Sequence, residues 1–235
     1  MNPIDLSTST VLVTGANRGF GRHLAEQLVA RGAKVYASAR SLESVDIPGA
    51  VPLQLDITNP ASIAAAAATA HDVTVIINNA GISTGASLLT GDVTEIRREF
   101  DTHLFGTLDV IRGFVPVLEA NGGGSILNIL SVLSWITFPG VGAYSAAKSA
   151  EWSMTNALRA ELAPHNIQVS GLHVGYMDTD LTNGVDAPKS DPADIARIAL
   201  EALTAGAPEI LADDLSKQVQ SGLAGGVAAL YPQLA

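Results

Sequence analysis

Cysteine is absent from the chain, which excludes thiolate nucleophiles, disulfide staples and thiolate metal sites at the outset. Charge is sparse too. Only 15% of residues are charged, and acidic side chains outnumber basic ones 23 to 13, for a formal net charge of −10. That sign argues against an extended nucleic-acid or anionic-membrane surface, so an anionic ligand must be held by local positive groups. Long apolar runs are missing as well. The longest, about 126–138, is broken by Asn128, Ser131 and Ser134 and is too short and too polar to span a bilayer. The opening residues Met1-Asn2-Pro3-Ile4-Asp5 lack the basic-then-apolar pattern of a signal peptide. His23, His71 and His165 have no ligand spacing, so no metal is expected. These absences lead to the expectation of a soluble, cytoplasmic protein with neither a nucleic-acid nor a membrane partner. What is plentiful is apolar: 47% of 235 residues, enough for a well-filled core. With no linker, repeat or low-complexity tract, one domain over 1–235 is expected.

The apolar residues come in alternating strand-like and helix-like blocks. Short apolar runs at 10–14, 34–38, 51–55, 73–77, 125–130, 167–174 and 208–212 read as strands. Helical runs separate them. Asn59 and Pro60 have the chemistry of a cap and first turn for the helix through Ala70. A long helix is expected over 93–119, with Ile96, Phe100, Leu104 and Leu108 inward, and a terminal helix over about 213–231. Such alternation predicts βαβ units. The fold class is therefore α/β, a doubly wound (Rossmann) sheet of about seven parallel strands with helices on both faces.

Between the first strand and first helix lies Thr14-Gly15-Ala16-Asn17-Arg18-Gly19-Phe20-Gly21, where a dinucleotide phosphate loop belongs. The first glycine permits the tight turn and the second lets backbone approach a pyrophosphate. The third lets helix pack on sheet, with the phosphates at the helix N-terminus. Gly15, Asn17, Arg18, Gly19, Phe20 and Gly21 are thus candidate cofactor-binding residues. A carboxylate ending the second strand would hold the ribose 2′-hydroxyl of NAD; this chain has Ser38-Ala39-Arg40 there. Arg40 and Arg18 could be ordinary solvated charges. In this position, though, two guanidiniums suit a 2′-phosphate through bidentate pairing, which favours NADP(H) over NAD(H).

Tyr144 and Lys148, four positions apart, share one face of a predicted helix. A lysine cation favours the phenolate, and moving a phenol from about 10 to near 7 needs roughly 4 kcal/mol of differential stabilisation. By itself the pair fits an amphipathic helix equally well.

In combination, the glycine loop, Asn78-Asn79-Ala80-Gly81, Ser131 thirteen positions before Tyr144, and Tyr144-x-x-x-Lys148 resemble the short-chain dehydrogenase/reductase family, in its compact single-domain branch. The resemblance spans about 8–212. It implies an NADP(H)-dependent carbonyl reductase or alcohol dehydrogenase. Tyr144 would be proton donor in reduction or acceptor in oxidation, Lys148 would lower its pKa and bind the nicotinamide ribose, and Ser131 would polarise the carbonyl. Ser134 is a rival serine at the wrong spacing. The resemblance further implies adenine contacts at Asp56 and Ile57, a ribose turn at Asn79, Ala80 and Gly81, and carboxamide contacts at Met177 and Thr179. A short substrate lid over about 181–190 implies an open pocket for apolar ketones or aldehydes, with Trp135, Phe138, Val141 and Leu181 as candidate walls. The fourth and fifth helices imply a homodimer or homotetramer.

Two departures stand out. His103 occupies the place of an Asn that holds a relay water, either as a tolerated substitution or as an imidazole that completes the relay and titrates between about pH 5 and 8. His173-Val174-Gly175 replaces a proline, with only a looser loop expected. The same scaffold also carries sugar-nucleotide epimerases or dehydratases and could serve as a non-catalytic nucleotide sensor. The first class usually has a larger C-terminal domain; the second needs no matched Ser131, Tyr144 and Lys148.

Overall fold

Seven strands order the chain: β1 (Thr10–Val13), β2 (Lys34–Ala39), β3 (Val51–Gln54), β4 (Val75–Asn78), β5 (Gly124–Ile129), β6 (Ile167–His173) and β7 (Glu209–Leu211). In the computed structural model, which describes residues 4–234, they form one sheet in the order β3-β2-β1-β4-β5-β6-β7. The reading of Met1–Pro3 lies outside the described residues. Every strand pairing is parallel. The strands read as unbroken apolar runs because both sheet faces are covered. Val11 and Val13 face one core and Leu12 the other, the two-residue period of a strand.

One face carries α1 (Gly19–Ala30) and α6 (Pro192–Thr204), packed through Leu24, Leu28, Ile195 and Ala199. The opposite face carries α2 (Pro60–Thr69), α4 (Thr107–Ala120) and α5 (Gly142–Leu162), packed through Ile63, Phe114, Leu118 and Leu158. The Asn59 carboxamide accepts from the Ala61 and Ser62 N–H groups, with Pro60 in the first turn, as its chemistry predicts. The strand order reverses direction between β1 and β4. Ligands of open α/β sheets bind in the crevice that such a switch opens at the carboxyl ends of the strands.

Two elements differ from expectation. The long helix over 93–119 is three pieces: α3 (Val93–Phe100), a π-helical turn (Asp101–Gly106) and α4. Its inward face is Glu99, His103, Thr107, Val110 and Phe114, while Ile96, Phe100, Leu104 and Leu108 are only half-buried. Apolar periodicity misplaced this face because a buried polar pair, Glu99 and His103, 3.3 Å apart, takes the inward positions. The terminal helix is also divided, into α7 (Asp214–Gly222), a 3-10 turn and α8 (Gly226–Leu230). Gly222, Gly225 and Gly226 interrupt it, as helix-weakening glycines do, and Gly226 sits at φ 63°. The resulting hairpin folds back over Val132, Leu133 and Ile136, covering them with Val219, Leu230 and Tyr231. The Thr137 N–H donates to the Tyr231 hydroxyl at 2.9 Å. Among the described residues, no helix is long and apolar enough to cross a membrane.

Candidate active site

A cleft of about 720 Å³ opens at the switch point, within the usual range for a ligand site. The glycine loop forms its floor. Gly15 and Gly19 have φ values of 64° and 54°, backbone that favours glycine. At Gly21 a Cβ would lie 2.4 Å from both the Asn79 carboxamide nitrogen and the Gly15 carbonyl oxygen, so only glycine lets α1 start this close to the sheet. Asn79 locks the loop by donating to the Thr14 and Gly15 carbonyls at 2.9 and 3.2 Å. The Thr14 hydroxyl accepts from the Asn79 and Ala80 N–H groups. The first N–H groups of α1 are left for an anion, a combination that suits a pyrophosphate.

All the sequence-predicted cofactor residues border this one cleft: Gly15, Asn17, Arg18, Gly19, Phe20, Gly21, Arg40, Asp56, Ile57, Asn79, Ala80, Gly81, Met177 and Thr179. Asp56 is turned by its own Asx contacts to the Thr58 N–H and hydroxyl. Arg40 is exposed. Arg18 does not stand beside it as a free cation, however, but pairs across the cleft with Asp180 at 3.1 Å. Both partners are 63% exposed, so the bridge contributes little and is easily given up. The lid base is fastened by the Met177–Ser190 bridge, with the Asp178 N–H donating to the Ser190 carbonyl and the Ser190 N–H to the Tyr176 carbonyl.

Ser131, Tyr144 and Lys148 meet in the same cleft. Ser131 follows β5, where its Oγ accepts from the Leu133 N–H at 3.1 Å, and its hydroxyl pulls the pKa of the Tyr144 phenol downward. Ser134 is instead structural: its Oγ accepts from the Ser131 N–H and its carbonyl from the Ser149 hydroxyl. Buried Lys148 donates to the Ile129 carbonyl and to Glu151, each at 2.7 Å. A buried ladder pins α5 to the sheet: Asn78 donates to Asn128, Asn128 to the Thr155 hydroxyl, and Thr155 to the Glu151 carbonyl. Burial pushes the Tyr144 phenol above its ordinary value despite the downward pull of Lys148, and Glu151 adds to the rise. The expected lowering by Lys148 is therefore present but outweighed. Burial alone would lower the lysine, yet Glu151 holds it raised.

His103 is brought edge-on to the Tyr144 ring, 5.1 Å between centroids. Nε2 lies 2.9 Å from the Ile82 carbonyl and 3.3 Å from Glu99 Oε2, and Nδ1 has no partner among the described residues. No hydrogen bond joins its ring to Lys148 or Tyr144 among the described residues, so of its two readings the relay has no direct contact to either. Buried Glu99 also accepts from the Thr84 N–H and hydroxyl at 2.6 and 2.9 Å. Burial raises its pKa, but His103 and Thr84 outweigh that and hold it below the usual carboxylate range.

His173 is more than a lost proline. Fully buried, it stacks on Trp135 at 3.7 Å and sets Nδ1 3.1 Å from the Ser131 carbonyl, directly behind the serine. Burial lowers its pKa to about 4. Trp135 is consequently part of this packing and does not line the cleft, whereas Phe138, Val141 and Leu181 do. Glu99 and Glu151 escaped sequence reasoning, since acids on a helix give no spacing signal, and His173 was read only as part of a looser loop. Among the described residues, no group of three or more His, Asp or Glu side chains is placed to hold a metal ion.

A parallel switch-point sheet with a glycine loop and a serine–tyrosine–lysine set in one cleft defines a Rossmann-fold oxidoreductase. A family model described as short chain dehydrogenase matches residues 9–190, and the chain belongs to that family. A short-chain dehydrogenase of Burkholderia cenocepacia, solved in complex with NADP, is 39% identical with a TM-score of 0.93, over 98% of this chain and 99% of that one. The 3-ketoacyl-(acyl-carrier-protein) reductase of Brucella melitensis, solved with NADH, is 26% identical with a TM-score of 0.81, over 88% of this chain and 96% of that one. In sequence, the trans-4-hydroxycyclohexanecarboxylate dehydrogenase of Sinomonas cyclohexanicum is 33% identical over 199 residues, 77% of this chain and 76% of that one.

Proposed function

We propose that this chain is an NADP(H)-dependent carbonyl reductase or alcohol dehydrogenase acting on apolar ketones, aldehydes or secondary alcohols. The observation that carries the reading is the convergence of Ser131, Tyr144 and Lys148 in one cleft with the glycine loop. The cofactor, when bound, supplies hydride chemistry. Its pyrophosphate suits the N-terminus of α1 and the space left at Gly21. At the adenosine end, exposed Arg40 and the easily released Arg18 suit a 2′-phosphate, and no carboxylate ends β2 to favour a free hydroxyl. The NADP complex of the Burkholderia relative supports the same preference.

At the reacting end, Ser131 and Tyr144 are two hydroxyl donors placed to act on one carbonyl oxygen, the position where alkoxide charge develops. Tyr144 gives its proton in reduction and takes one in oxidation, while Lys148 stabilises the phenolate left behind. Leu133, Phe138, Val141, Leu181, Val185 and Leu215 give the substrate side apolar walls, which suits a neutral, apolar carbonyl compound. We read the whole as a single cytoplasmic domain. Phe105, 53% exposed on the outer side of the π-helical turn, supports assembly of a homo-oligomer through the helices on that face.

Two measurements test the reading. Tyr144→Phe is expected to abolish NADPH-dependent ketone reduction, a loss of at least about 100-fold, while NADPH still binds by fluorescence titration. Wild-type kcat/KM is expected to be higher with NADPH than with NADH across a ketone and aldehyde panel. Retained turnover in the variant, or preference for NADH, would overturn the corresponding part.

A further inference from the structure

One buried acid behind the cleft, in contact with Lys148, has no part in that mechanism. Glu151 lies one turn beyond Lys148 on α5 with its side chain 2% exposed, and its Oε2 is 2.7 Å from the lysine Nζ. A lysine ammonium has three N–H donors. Here one goes to the Ile129 carbonyl and one to Glu151, leaving one for the cleft side, where Nζ stands 6.0 Å from the Tyr144 ring centroid.

We propose that Glu151 is a positioning residue that offsets the charge of Lys148 and so keeps the proton on the Tyr144–Lys148 pair. The site then waits as a proton donor, the state that carbonyl reduction needs, and releases its proton for alcohol oxidation only at raised pH. This rests on the reading of Tyr144 as the acid and base of the reaction.

An isolated lysine cation near a phenol favours the phenolate. A lysine paired with a carboxylate on its far side presents a dipole, whose attraction for the phenolate is weaker. Burial then acts on the phenol with less opposition, and both Tyr144 and Lys148 are raised. The other groups facing the pair do not restore the lost positive charge. From α3 and the turn packed against α5 come Glu99 and His103, 3.3 Å apart and engaged with Thr84 and Ile82. From β6 comes His173, neutral down to about pH 4. From β5 comes Ser131, an uncharged donor. Glu151 is thus the charged group in direct contact with Lys148.

The test uses Glu151→Gln, which keeps the shape and an acceptor for Lys148 but removes the charge. In cofactor-free protein, the phenolate absorbance of Tyr144, isolated by subtracting the matching Tyr144→Phe protein, is expected to appear about one pH unit or more lower than in the wild type. The pH profile of alcohol oxidation and the alkaline limb of ketone reduction should move down with it, because one macroscopic proton loss of the pair governs both. Glu151→Asp, which retains the charge, should titrate like the wild type. Glu151→Leu carries the same expectation as the glutamine variant, so misfolding of one neutral variant leaves the other. A neutral variant in which neither titration nor profile moves, whatever its activity, would overturn the role. Failure of the underlying reading looks different: Tyr144→Phe itself would keep its turnover.

Discussion

Glu99 holds together two parts of the site that lie nineteen residues of chain apart: the Thr84 loop and the His103 ring beside Tyr144. Removing it strands the part-buried N–H and hydroxyl of Thr84 and takes away the carboxylate beside His103. Glu99→Ala is therefore expected to cost about 2–4 kcal/mol, measured as a lower urea midpoint at unchanged slope. Tyr144 and Lys148, and the glycine loop, were legible in the sequence because local geometry sets their relations: a helical turn, and a turn between strand and helix. Ser131 was legible only through the family resemblance, and Glu99 and Glu151 were not legible. An acid on a helix reads as solvated until tertiary packing buries it, and nothing in the sequence pairs Glu99 with a threonine fifteen positions earlier.

Between elements, the C-terminal hairpin has the clearest functional consequence. Tyr231 closes over the loop that follows Ser131 and takes the Thr137 N–H, while Leu215 from α7 reaches the cleft. Tyr231→Ala is expected to raise KM for the carbonyl substrate several-fold and leave the NADPH Kd within about twofold, because it loosens the substrate wall and not the glycine loop; steady-state kinetics and a binding titration check both. Strands and the α2 cap were readable from apolar runs and from Asn59-Pro60. Breaks inside helices were harder. The π-helical turn at Asp101–Gly106 places His103 beside Tyr144, and π-helical insertions often accompany functional sites, but no residue pattern announced it. The three glycines of the terminal segment are visible in the sequence, but its regularly spaced leucines and valines point to one unbroken helix.

For the molecule as a whole, His173 links stability to pH. Its folded pKa of about 4 lies below the ordinary 6.5, so the unfolded chain binds a proton over a range where the folded one does not. Stability from this residue is complete above about pH 6.5 and declines as pH falls toward 4, by about 3 kcal/mol over the whole window. Asp46 and Asp72, held low by Arg22 and, against burial, by Lys34, lose their contributions below the usual carboxylate range, which leaves pH 6.5 to 5 to the histidine. Thermal midpoints should fall across that interval in the wild type and much less in His173→Phe.

The two ends of the sheet carry a further consequence. Leu55, just past the end of β3, donates its N–H to Ala39 on β2. Alternation along the strand therefore turns Pro52 and its missing N–H to the open side. At the opposite margin, β7 is three residues long. A proline on the outward side and a very short strand are both devices that discourage a sheet from recruiting another chain's backbone. The seven strands thus form a self-terminating array that resists edge-to-edge aggregation.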